Sequence, residues 1–85
     1  MKSQVNNEFE VAFWDYAALV VLALKDLTRT GYQLIESEQI IADGSSLNFE
    51  KIRGTTWAKM PLHTRQDIAR ARNHRDSIRR QLKQN

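Results

Sequence analysis

The chain has 85 residues, enough for a single domain over 1–85, but in the size range where one hydrophobic core gives only marginal stability. Its 41% hydrophobic and 27% charged residues exclude a disordered or collagen-like chain, and the absence of cysteine excludes disulfide bonds and thiolate metal sites. The formal net charge of +3 is uneven: residues 1–61 carry a net −2, whereas residues 62–85 carry seven basic and two acidic side chains, a net +5.

The first predicted element is a long helix over residues 8–30. Asn7 is suited to cap its N-terminus. Gly31 is suited to end it in the left-handed conformation, which would let Tyr32 pack back on Leu27.

The apolar residues of this helix cover an arc of about 200°, against the roughly 100° stripe of an ordinary surface helix. The remaining polar line is itself interrupted by Val11, Ala18, Leu19 and Leu22. A chain this short can hardly cover such a helix on every side, so we expect a homodimer. The residues predicted to mediate self-association are Phe13, Trp14, Ala17, Val20, Val21 and Leu24.

The middle of the chain allows two interpretations. A short helix over 34–42, ended by Asp43 and Gly44, is the favoured one. The alternative is a β-hairpin that turns at Asp43 and Gly44, because the segment 39–49 has apolar residues on both sides of that dipeptide.

A further short element is expected within 48–60, where Asn48 could cap a helix. Gly54 is expected to end or bend this helix. The residues after it are left unassigned, with Trp57 and Met60 predicted to lie in the core.

The last predicted element is a basic helix over 64–83, after the boundary at Pro61 and capped by Thr64. A heptad seam follows it at alternating steps of four and three, formed by Thr64, Ile68, Ala71, Arg75, Ile78 and Leu82. The seam is narrow and has a charge at its centre. Together these elements predict an all-α protein, a three- or four-helix bundle.

A row of basic side chains flanks this seam, because Arg65, Arg72 and Arg79 are spaced by seven. The complete set of predicted partner-binding residues is Arg65, Arg72, Arg75, Arg79, Arg80 and Lys83. Such a row can bind an acidic protein surface, which we favour slightly, or the phosphates of a nucleic acid, through charge-assisted hydrogen bonds. The alternative is a solvated face whose charges pair within the helix, as Asp76 could with Arg80.

Catalysis, metal binding and cofactor binding are not expected. His63 and His74 lie eleven residues apart and only His63 has a carboxylate, Asp67, at helical spacing, whereas zinc normally takes three or four protein ligands. Neither Ser77 nor Thr64 has an evident base and orienting group. The three glycines form no phosphate-binding loop, and no small-molecule substrate is implied.

Membrane insertion is not expected either. The longest apolar run, from Ala17 to Leu24, covers eight residues, far fewer than the roughly 20 that cross a bilayer. We therefore expect a soluble, cytoplasmic, non-enzymatic binding protein. By analogy with small helical proteins of phages and plasmids, it would be a regulator or inhibitor.

A helix-turn-helix motif is disfavoured. A bend at Gly54 would place Pro61 inside the recognition helix. A bend at Gly31 or Gly44 would put polar or charged side chains at core positions. Any contact with DNA is therefore expected to be to the phosphate backbone.

Overall fold

A computed structural model describes residues 4–45, 52 and 54–84 of the chain. These residues contain no strand and form four helices: α1 (Gln4–Arg29), α2 (Glu36–Ala42), α3 (Gly54–Lys59) and α4 (Leu62–Gln84). The all-α class predicted from the sequence is confirmed. The helical interpretation is correct as far as Gly44, while the predicted cap Asn48 and the second half of the alternative hairpin lie outside the described residues.

α1 and α4 lie side by side and run antiparallel. Phe9, near the start of α1, contacts Arg79 near the end of α4, and Tyr16 contacts Arg75. α2 packs on α1 at a smaller interface. The core between these elements is formed by Tyr16, Ala17, Val20, Ala23, Leu24, Leu27, Leu34, Ile41, Ala42, Met60 and Ile68.

α1 ends where the sequence predicts. Gly31 has a left-handed φ of +93°, a conformation that costs glycine nothing because it has no Cβ. Its N–H donates to the Thr28 carbonyl at 3.0 Å, and the N–H of Tyr32 donates to the Leu27 carbonyl at 3.2 Å. This pair of hydrogen bonds is the Schellman motif. Tyr32 packs against the hydrophobic core, which includes Leu27.

Three helix boundaries differ from the prediction. α1 begins at Gln4, ahead of the expected cap Asn7, because residues 4–6 contain no glycine or proline to stop a helix. Gly54 is the first residue of α3, while most of the predicted element before it, including Asn48, lies outside the described residues. α4 begins at Leu62, since Pro61 supplies a backbone suited to a helix start and its carbonyl accepts the first-turn hydrogen bond. Thr64 is therefore not the cap.

A buried carboxylate links the short helices. Glu38 of α2 is 2% exposed, and its Oε1 accepts a 2.8 Å hydrogen bond from the hydroxyl of Thr56 in α3. The Tyr32 hydroxyl donates in turn to Thr56 at 2.9 Å, while the backbone N–H of Ile35 lies 3.4 Å from the same carboxylate oxygen. Each donor offsets part of the cost of removing the carboxylate from water.

The molecule is elongated, with extents of 46 × 25 × 17 Å and a radius of gyration of 14.1 Å. A compact domain of this length would have a radius of gyration of about 12 Å. Val11, Trp14 and Leu22 of α1 each expose more than half of their surface, so one side of this helix is left uncovered by the described chain.

We expect Thr56→Val to destabilise the fold by about 1–3 kcal/mol, because it removes the hydroxyl donor while Glu38 stays buried. The matched control is Thr55→Val in the same helix: Thr55 is exposed, so this change should alter stability by less than about 0.5 kcal/mol. Urea unfolding of both variants measures the difference. Equal stability losses would show that the hydrogen bond to Glu38 contributes nothing.

Candidate partner-binding surface

The predicted heptad seam of α4 is the face that packs on α1. Ile68 and Ile78 are buried, and Thr64, Ala71 and Leu82 are half-buried. Because the packing of this seam fixes the rotation of α4 about its axis, it also determines which basic side chains of α4 point to solvent.

Arg75 lies within the seam and is only 4% exposed. Its guanidinium lies 4.7 Å from the centroid of the Tyr16 ring, a cation–π contact between α4 and α1. Both Nε and Nη2 donate to Oδ1 of Asp76, at 3.0 and 2.7 Å. Arg75 therefore belongs to the core, and the expectation that it contacts a partner does not fit its position.

The other basic residues of the predicted site differ in their surroundings. Arg72, Arg80 and Lys83 are exposed, and no described acidic side chain pairs with any of them. The predicted pair of Asp76 with Arg80 does not form, since Asp76 pairs with Arg75 and more distantly, at 4.0 Å, with Arg79.

Arg65 and Arg79 are partly withdrawn from solvent. The Arg79 guanidinium lies 5.7 Å from the centroid of the Phe9 ring, so α1 already occupies one side of it. Arg65 is half-buried, and its Nε is enclosed without a hydrogen-bond partner among the described residues. The basic residues predicted from their spacing thus follow one another along α4, but they differ in how much of each side chain is exposed to solvent.

The residues predicted for self-association also divide by exposure. Ala17, Val20 and Leu24 are buried in the core of the single chain, so they cannot form an interface without opening it. Phe13 and Val21 are half-buried. Trp14 is 52% exposed and lies edge-on to Phe13, with ring centroids 5.1 Å apart.

A second apolar face of α1 lies opposite its core-facing side. Val11 and Leu22 are 60% and 57% exposed, and Ala18 between them is exposed as well. Together with Trp14, they form the outer face of α1. The sequence analysis treats Val11, Ala18 and Leu22 only as interruptions of a polar line, whereas their spacing of seven and four places them on one stripe.

A groove runs between α1 and α4 beside this outer face. Its two adjoining parts have volumes of about 700 and 350 Å³ and share Asp15 and His74. Leu19 and Ala71 lie within the larger part, and Asp67 and Arg70 are at its α4 rim. The groove is apolar at its floor and carries charges of both signs at its edges.

No arrangement typical of catalysis or metal binding is apparent in the described residues. The hydroxyl of Thr64 lies 3.4 Å from Nε2 of His63, longer than the roughly 2.6–3.2 Å between a nucleophile and its base. No cluster of three or more metal-ligating side chains occurs in this part of the chain. Nor is any described helix both long and apolar enough to cross a membrane.

No protein-family model, curated protein or solved structure matches this chain. The functional argument therefore depends on its own side chains. Two surfaces stand out among them: the exposed cations of α4 and the outer face of α1.

We expect Arg75→Ala to destabilise the protein by at least about 2 kcal/mol, because it removes buried packing, the contact with Tyr16 and the pairing of Asp76. Arg72→Ala, the same change at an exposed position of the same helix, should cost less than about 0.5 kcal/mol. Thermal and urea unfolding measure both. If the two variants were equally stable, Arg75 would not be the structural contact between α1 and α4.

Proposed function

We propose that this chain is a non-enzymatic binding protein, a regulator or inhibitor, whose α4 contacts an acidic surface of another protein. The observation that carries the proposal is the solvent-exposed group of Arg72, Arg80 and Lys83, which pair with no described acidic residue. Exposed guanidinium groups that pair with no described carboxylate of their own chain can form forked hydrogen bonds with carboxylates of a partner.

The surroundings of these cations favour a protein partner over a nucleic acid. Asp67 and Asp76 stand on the same helix, and Asp76 already engages two of its arginines. A phosphate backbone would meet these carboxylates as well as the cations. Leu62, at the start of α4, is 61% exposed. A protein partner can bury an exposed apolar side chain on this helix, whereas a phosphate backbone cannot.

The test removes two charges from the exposed stripe and compares this with removing two charges elsewhere. Arg72→Ala with Lys83→Ala should weaken binding at least about tenfold, since each exposed cation that contacts a carboxylate contributes on the order of 1 kcal/mol. The control is Lys59→Ala with Arg70→Ala, which has the same net charge and should change affinity less than about twofold. A partner captured from nuclease-treated lysate of the source cells, then titrated calorimetrically, gives these affinities. Unchanged affinity in the stripe variant would refute the role of α4.

A duplex of about 20 base pairs tests the alternative partner directly. We expect weak binding to this DNA, in the range of about 10⁻⁴ to 10⁻⁶ M that is usual for non-specific contact near physiological salt. Fluorescence anisotropy against salt concentration measures it. Nanomolar affinity, with log K falling by about 0.9 per log unit of salt for each phosphate contacted, would show that the partner is nucleic acid and that the protein proposal is wrong.

A further inference from the structure

The groove between α1 and α4 is open to solvent and long enough to hold several turns of a helix. Val11 and Leu22, on its α1 side, each expose more than half of their surface. Its lining runs from Asn7 to Leu22, a length of about 22 Å at the usual rise per residue of an α-helix. The other apolar residues that line it are Ala12, Ala18, Leu19 and Ala71.

The shape of this groove suits a helix. Two helices that pack side by side leave a channel in which a third helix can pack its side chains between theirs, as in a three-helix bundle. The α1 lining repeats every seven residues, at Val11 and Ala18, which is the spacing by which one helix recognises another. Ala12 and Leu19 repeat in the same way. The described residues contain no strand, and hence no sheet edge to which an extended peptide could add.

The edge of the groove that α1 forms is acidic. Glu8 and Asp15 are exposed and line the groove, and no described basic side chain pairs with either. They are seven residues apart and so lie on the same side of the helix, about 10 Å from one another along its axis. The basic residues of α1, Lys25 and Arg29, do not line the groove, and Arg29 pairs with Asp26 at 3.0 Å.

The edge that α4 forms is close to neutral. Asp67 and Arg70 lie there 3.8 Å apart and offset each other's charge. With His74 neutral, the lining therefore keeps the two negative charges of Glu8 and Asp15, on a chain whose formal net charge is +3. We propose that this groove binds an amphipathic helix of another protein. The apolar face of that helix lies on the groove floor, and Lys or Arg side chains spaced by seven residues meet the two carboxylates.

The groove is separate from the exposed cations of α4. With 3.6 residues per turn, Arg70 and Arg72 lie on opposite sides of Ala71, a residue of the seam. The groove is on the side of Arg70, whereas Arg72 belongs to the group proposed to contact an acidic surface. Binding in the groove can therefore fail while the α4 contact stands, and the reverse.

The first experiment titrates the full chain into a fluorescein-labelled synthetic helix of three heptads, with Leu at positions a and d and Lys at e and g. The lysines keep the peptide from pairing with itself. We expect an affinity in the micromolar range by fluorescence anisotropy. A control peptide with the same lysines, but Ser in place of Leu, should bind at least about tenfold more weakly, because it has no apolar face to bury. No binding of the Leu peptide at about 1 mM, or equal affinity of the two peptides, would overturn the proposal.

The second experiment tests the acidic edge. Asp15→Lys should weaken binding of the Leu peptide at least about fivefold, because it replaces attraction by repulsion at the centre of the groove. Glu10→Lys is the matched control: it makes the same change of charge at an exposed position of α1 that does not line the groove. At about 0.15 M salt, where distant charges are screened, it should change affinity less than about twofold. Equal effects of the two variants would contradict the role of the acidic edge.

The third experiment locates the peptide on the chain by the amide chemical shifts of the ¹⁵N-labelled protein. The changes should be concentrated at Ala18, Leu19 and Ala71, whereas changes confined to the surroundings of Arg72 and Arg80 would refute the groove as the site. Sedimentation equilibrium of the chain alone tests a different occupant. A dimer that Asp15→Lys dissociates would show that a second copy fills the groove, and the proposal of a basic helix from another protein would be wrong.

Discussion

The architecture follows from one constraint: α1 is apolar around most of its circumference, and the rest of an 85-residue chain is too small to surround it. α4 covers the side that carries Tyr16 and Val20, and α2 adds contacts there. Covering one side of a long helix with a second helix produces an elongated pair rather than a globule. The opposite side keeps its apolar residues in water, a cost that an interface would remove.

The basic helix is divided by the same packing. The seam of α4 brings Arg75 over the Tyr16 ring and takes it out of solvent, with Asp76 as its carboxylate partner. A buried cation is stable only when charge and hydrogen bonds compensate its lost hydration. Arg75 thus joins the helices, while Arg72, three residues earlier, points away from α1. Two arginines of the same helix therefore differ in role, because Arg75 faces α1 and Arg72 faces solvent.

Local signals could be predicted from the sequence, but distant contacts could not. The end of α1 at Gly31 and the seam through Ile68 depend on residues within a few positions, and both were found. The burial of Glu38 depends on Thr56, which lies 18 residues further along the chain. A pattern search has no information on such a pairing. The core position of Arg75 likewise depends on Tyr16, in a different helix.

The residues predicted for self-association also show what periodicity alone cannot predict. The breadth of the apolar arc indicated that α1 needs neighbours in more than one direction, but periodicity does not say which part of the arc the chain itself covers. The structure resolves this for Ala17, Val20 and Leu24, which are buried within one chain. Of the residues predicted for self-association, Trp14 is therefore the one that stays exposed, and Phe13 and Val21 are half-buried. A pattern of apolar residues along one helix cannot separate these two groups, because their burial depends on where α4 and α2 pack.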